Sequence, residues 1–226
     1  MKSFLVIASL LIVASIACTA NTSVNSQPVA KATTEPQPTA QVSSLTSQEK
    51  VPCTLTLAGA PVVNGLRLGM TTDEVLALFP GIKQDVEMQA NLSRPASQFG
   101  VSSFVIRPSQ YQSKDKFSGI NQISFTLLDG RVSSISIGYN GPEYSHVDRF
   151  AEKFVEGKTL PSVDQWEPYV GMDNTLKVLK CAEFEINVFI GGPGGNLNYV
   201  LVKDLVSDKK LKDRRAKARA QASPTP

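Results

Sequence analysis

Histidine occurs once, tryptophan once and cysteine three times in this chain of 226 residues. A histidine-based triad would have to use His146, and no Gly-x-Ser-x-Gly element accompanies it. His146 stands at a predicted helix start, where an exposed or helix-terminal role competes with any chemistry. One histidine with no cysteine near it in sequence also leaves too few ligands for a His/Cys metal site. No catalytic residue, metal ligand or cofactor is expected. Long apolar runs are equally scarce: Phe4 to Ala17 is uncharged and mostly apolar, but its roughly 14 residues fall short of a membrane span. Charge is nearly balanced, with 23 Lys and Arg against 20 Asp and Glu.

What is present begins with the N-terminus. Lys2 followed by the apolar run of Phe4 to Ala17 has the form of an export signal over residues 1–17. Ser15-Ile16-Ala17-Cys18 resembles the lipobox of bacterial lipoproteins, with Ser15 in place of the usual leucine. The resemblance implies that Cys18 is acylated and becomes the new N-terminus. An ordinary signal peptide cut after the A-x-A-like Ser15-Ile16-Ala17 is the alternative. Each buried acyl CH₂ contributes about 0.8 kcal/mol, so a diacylated cysteine would hold the protein at a membrane without a spanning helix. By resemblance to enterobacterial lipoproteins, in which an aspartate after the cysteine favours inner-membrane retention, Thr19 implies an outer-membrane location facing the periplasm if the cell has two membranes.

Residues 18–52 are rich in Thr, Ser, Pro and Gln and lack aromatic residues, the composition of a disordered linker. Such a tether has an r.m.s. span of roughly 30 Å. Residues 53–205 carry nearly all the aromatics and the alternating apolar runs, enough for one domain with a core. This segment holds 13 Lys and Arg against 16 Asp and Glu, so the positive balance comes from elsewhere. Its source is the tail, 206–226, where Lys209, Lys210, Lys212, Arg214, Arg215, Lys217 and Arg219 face only Asp208 and Asp213. Attachment to an anionic surface is one reading of this run, a solvated helix or coil the other. No aromatic residue interrupts it to stack bases, so no nucleic-acid partner is expected.

If Cys18 is lipidated, Cys53 and Cys181 remain as an even pair in an exported chain, and we expect them to form a disulfide. Two buried thiols, or a redox or metal pair, are the alternatives.

The domain reads as α+β: an antiparallel sheet with two short-to-medium helices packed on one face. Thr71 and Glu74 have capping-box spacing ahead of Val75, Leu78 and Phe79, predicting a helix of about two turns stopped by Pro80-Gly81. Val101 to Ile106 alternates weakly. Ile120 to Leu128 and Arg131 to Tyr139 flank Asp129-Gly130, a hairpin signal, with Ser, Thr and Gln on the face opposite the apolar one. Ser145 to about Glu156 predicts a second helix. Val178 to Ile190 and Leu197 to Val202 read as two strands around a glycine-rich turn, Gly191 to Asn196. That turn lacks the lysine and the following helix of a phosphate loop.

Gly69-Met70-Thr71 with Val75 resembles the BamE-like (SmpA-like) envelope lipoproteins and the related β-lactamase-inhibitor-protein fold, over about 15 residues. Phe79-Pro80-Gly81 departs from the Leu-Gly-x-Pro ending of that group. The resemblance implies a binding or assembly role at the cell envelope, and it transfers no functional residue.

Two further features bear on function. Glu183 and Glu185 share a strand face, the geometry of a carboxylate pair or of a solvent-facing stripe with Phe184 and Ile186 turned inward. Trp166 and Tyr169, beside Pro168, form an aromatic cluster in a loop, either a protein-binding spot or a loop pinned to the core. Together these readings point to a non-catalytic envelope module that binds a protein partner. An inhibitor of an exported enzyme is the alternative, and a hydrolase a weaker one.

Overall fold

A computed structural model describes residues 51–172, 174–191 and 198–222. The expected export signal, Cys18, the expected linker up to residue 50 and the expected glycine-rich turn beyond Gly191 lie outside them.

The hairpin expected at Asp129-Gly130 forms between β2 (Ile120–Leu128) and β3 (Arg131–Tyr139). Asp129 and Gly130 both take positive φ, 53° and 76°. That is the left-handed pair of a type I′ turn, whose twist matches the flanking strands. β1 (Val101–Ile106) pairs with β2 on its other side. Beyond β3 the sheet continues through β7 (Asn198–Asp204), β6 (Phe184–Ile190), β5 (Leu176–Lys180) and the two-residue β4 (Glu167–Pro168), all antiparallel, in the order β1-β2-β3-β7-β6-β5-β4.

Strand periodicity sorts the side chains into two faces. Phe104, Phe125, Ile135, Val202, Ile186 and Leu179 stand side by side across the strands, and all are buried. One residue earlier or later in each strand, Ser103, Thr126, Ser134, Lys203, Glu185 and Lys180 form the matching row on the opposite face. The sheet therefore has one core face and one open face, the usual arrangement for antiparallel strands.

Helices α1 (Thr72–Leu76), α2 (Val86–Leu92) and α3 (Val147–Val155) add their buried residues to the same core. The Thr71–Glu74 capping box is formed in both directions: Thr71 Oγ1 accepts from Glu74 N–H, and Glu74 Oε2 accepts from Thr71 N–H at 2.7 Å. These bonds satisfy two main-chain N–H groups, and the Thr71 N–H and hydroxyl that donate to the Glu74 carboxylate hold it below its ordinary pKa. α1 is five residues long, shorter than expected, because the chain tightens after Leu76. Val75 and Phe79 are nevertheless fully buried.

Two elements differ from the sequence reading. α2 lacks a continuous apolar stripe and was not anticipated. The stretch over Val178 to Ile190 is two strands, because Cys181-Ala182-Glu183 turns the chain between β5 and β6. The segment from Arg107 to Ser118 folds into short turns that bury Tyr111 and Phe117, with Phe117 stacked on Phe79 at 4.6 Å.

Cys53 and Cys181 are disulfide-bonded across 128 positions, with Cα atoms 4.5 Å apart. The fold is α+β as expected. Among the described residues there are four helices rather than two, since α2 and the tail's α4 (Leu205–Ala222), directly after β7, add to the expected pair.

Candidate protein-binding surface

The open face is most apolar where β5, β6 and β7 run together. Leu176, Phe189 and Tyr199 are neighbours in one row, and Val178, Asn187 and Leu201 in the adjoining one. All six are half-buried. The Phe189 and Tyr199 rings stack with centroids 4.6 Å apart and planes 5° from parallel. Such a pair adds about 0.5–1.5 kcal/mol beyond the area it covers. Gly138, beside Tyr199 on β3, carries no side chain to extend the row. The result is an aromatic and aliphatic patch carried on three strands hydrogen-bonded to one another.

α4 roofs the other end of this face. Its N-terminus is fixed by Asp204, whose Oδ1 accepts from the N–H groups of Val206 and Ser207 at 2.8 and 3.0 Å. Lys203, on the open face of β7, reaches Asp208 at 3.0 Å, and Lys212 reaches the same carboxylate at 2.7 Å. Under the helix lies a mainly apolar groove of about 300 Å³ bounded by Leu211, Leu201, Thr126, Leu128 and Val101.

The middle of the helix is tied to the β2–β3 turn. Arg214 donates from Nη1 to Asp129 Oδ1 and from Nη2 to Oδ2, both at 2.8 Å, and Lys210 donates to Oδ2 at 2.8 Å. Arg214 Nη1 also donates to the Phe99 carbonyl at 2.8 Å, while Arg215 lies over the Phe99 ring. The hydrogen bonds from Arg214, followed by those from Lys210, hold the Asp129 carboxyl well below the usual carboxylate range. Gly100 makes the approach possible, since a Cβ there would lie 2.4 Å from Asp129 Oδ1 and 2.9 Å from Arg214 Nη1. The basic run is thus largely engaged within the fold: Lys209, Lys210, Lys212 and Arg214 all have carboxylate partners.

The sequence-predicted residues have different fates. Trp166 is 1% exposed and its indole N–H donates to the Pro161 carbonyl at 3.1 Å, so it anchors its loop in the core and presents no surface. This corrects the reading of Trp166 as a binding residue: a large ring with its one polar atom satisfied is more stable inside. Tyr169 is 54% exposed and remains on the surface. His146 caps α3, its Nδ1 accepting from Asp148 N–H at 3.3 Å while Nε2 lies 3.0 Å from Asn174 Oδ1. Glu183 and Glu185 do not act as a pair. Glu183 accepts from Leu57 N–H at 2.9 Å, fixing the segment beside the disulfide, and Glu185 accepts from Asn187 Nδ2 at 2.9 Å.

Two associations escaped the sequence reading. The Phe189–Tyr199 pair follows from a β6–β7 register symmetric about position 194, so equal counting outward from Gly194 would have found it. The Asp129–Arg214 contact joins positions 85 apart, and no local pattern announces it.

Among the described residues no group of three or more His, Cys, Asp or Glu is placed to hold a metal ion, and no helix is long and apolar enough to cross a membrane. Comparison with family models, curated proteins and solved structures found no significant match for this chain. Its functional reading therefore rests on its own residues and geometry.

Proposed function

We propose that this chain is a bacterial envelope lipoprotein, anchored through Cys18 and carrying a non-catalytic domain that binds a protein partner or supports its assembly. The observation that carries the reading is the stacked Phe189–Tyr199 pair on the open sheet face, flanked by Leu176, Val178 and Leu201. Aromatic side chains concentrate binding energy, because little conformational freedom is lost when a partner covers them. Anchoring is supported by Ser15-Ile16-Ala17-Cys18 after a short apolar run. The linker then gives the domain reach above the membrane surface.

The test is affinity capture of the full-length protein from crosslinked envelopes, read by mass spectrometry, with Cys18→Ala and a Phe189→Ser/Tyr199→Ser double variant alongside. A stoichiometric envelope partner lost in both variants is the expected result. Recovery of the protein alone, or a partner retained by the double variant, would overturn it. A tight one-to-one complex with a soluble exported enzyme would instead identify an inhibitor.

A further inference from the structure

The two edges of the sheet are unlike. At one end β4 is two residues long and includes Pro168, which cannot donate to a further strand. At the other end β1 is six residues long and, among the described residues, paired only with β2. Gly100 C=O accepts from Asp129 N–H at 2.9 Å, which sets the alternation along β1. Ser102, Phe104 and Ile106 bond towards β2, while Val101, Ser103 and Val105 turn their main-chain groups outward.

Val101 is already satisfied by Ser97, whose N–H donates to its carbonyl at 2.8 Å and whose Oγ accepts from its N–H at 3.1 Å. At the far end the Arg107 carbonyl accepts from Gln110 N–H at 3.1 Å. Between these closures the N–H and C=O of Ser103 and Val105 have no partner among the described residues. Both residues are exposed, Val105 to 47%. The window offers two donors and two acceptors in strand geometry.

It opens onto a groove beside α2. Two adjoining cavities of about 410 and 470 Å³ share Asn91, Arg94, Ser103 and Phe104, and the first extends to Arg107. Arg94 and Arg107 are the cations of this groove, and neither pairs with a carboxylate among the described residues. Of the acids there, Asp85 is occupied by the Tyr111 hydroxyl at 2.7 Å and by Met88 N–H at 3.0 Å, which leaves Glu87 on the α2 wall.

We propose that the outer edge of β1 docks an extended peptide segment of a partner protein, with acidic residues flanking a short β-prone core, as an added strand. Main-chain bonds to Ser103 and Val105 supply the pairing, and carboxylates at the two ends of the segment meet Arg94 and Arg107. A second copy of this chain fits less well. Antiparallel pairing of β1 with itself about Phe104 would set Val101 opposite Arg107, bringing Arg94 of one copy towards Arg107 of the other. This edge is separate from the Phe189–Tyr199 patch and does not depend on that reading.

Amide exchange by NMR tests it on the full chain bearing Cys18→Ala, with the N-acetylated peptide Glu-Thr-Val-Thr-Val-Glu as probe. The Ser103 and Val105 amides should slow at least about tenfold on saturation, while those of Ser102 and Phe104, already bonded to β2, change little. Arg94→Glu/Arg107→Glu should weaken binding at least about tenfold, and the same peptide with lysines at its ends should then bind that variant better. A peptide N-methylated at its two valines should fail, a control that needs no change to the protein. Phe189→Ser should leave the titration unaltered. Unprotected Ser103 and Val105 amides at about 1 mM peptide, or equal binding by the Arg94→Glu/Arg107→Glu variant, would overturn the proposal. So would protection that grows with protein concentration alone, which would identify a second copy.

Discussion

Arg214 grips both carboxylate oxygens of Asp129, each at 2.8 Å, from 85 positions further along the chain. A planar fork meeting a carboxylate in this way has a geometry that lysine cannot reproduce. The contact matters because α4 is polar on most of its circumference and buries no residue fully. A helix of this kind keeps its place through specific ties rather than a hydrophobic stripe.

Asp129→Asn should therefore release α4 without unfolding the sheet. Amide exchange should speed up from Leu211 to Ala218, and trypsin should cleave within the basic run at lower doses, with β2 and β3 still protected. Arg214→Lys should give an intermediate result. Gly100→Ala should reproduce Asp129→Asn, because the added methyl occupies the space of the Asp129 carboxylate and Gly100 has a φ of 79°. An α4 as protected in Gly100→Ala as in the native chain would show that the turn does not position the helix.

The same tie has a pH dependence of fixed sign. Its pKa is depressed in the folded protein by Arg214 and Lys210, so its contribution is complete above the ordinary aspartate range near 4. It declines as pH falls through the folded value, which lies well below that range. α4 should stay protected from exchange at pH 4 and loosen only in stronger acid. Asp129→Asn should remove this step, which separates it from general acid unfolding.

Two tyrosines give an alkaline counterpart. Burial pushes Tyr139 up to about 12, and burial with the Asp85 hydrogen bond raises Tyr111 to about 12. Neutral phenols are favoured in the folded state, so their contribution is intact below about pH 10 and lost as pH rises through about 12. An absorbance titration should show the Tyr111 and Tyr139 phenols ionising late, and one late phenol should disappear in Tyr139→Phe.

The fold was legible where local chemistry is decisive. Asp129-Gly130 could form only a tight turn between alternating runs, and the bounds of β2 and β3 follow from it. Thr71 and Glu74 announced their reciprocal cap. α2 was illegible because its stability comes from Met88 packing and an Asp85 cap rather than from a periodic stripe. The β5–β6 turn was hidden because Cys181-Ala182-Glu183 contains no Gly, Pro or Asn. The candidate surface was visible only as an open face. Its aromatic pair and its α4 roof depend on register and on contacts between distant residues.

The disulfide lends itself to a thermodynamic test. Closing a loop between Cys53 and Cys181, 128 positions apart, restricts the unfolded chain and contributes on the order of 2–5 kcal/mol. The Cys53→Ala/Cys181→Ala variant should unfold at lower urea and with a larger m-value, since its unfolded state is less compact. A lower midpoint with an unchanged slope would place the effect in the folded state instead.

Trp166 and Tyr169 are three positions apart and should behave oppositely. Trp166 emission should be blue-shifted and resistant to iodide, as fits a ring 1% exposed with its N–H bonded to Pro161. Replacing it by alanine removes one of the largest buried side chains and should cost about 3–5 kcal/mol in unfolding free energy. Tyr169→Ala should change stability by no more than about 0.5 kcal/mol. If the partner captured through the open face is lost in Trp166→Ala only under conditions where the variant unfolds, its effect on binding is indirect. Loss of that partner in a fully folded Tyr169→Ala would extend the contact surface from the Phe189–Tyr199 patch to this loop.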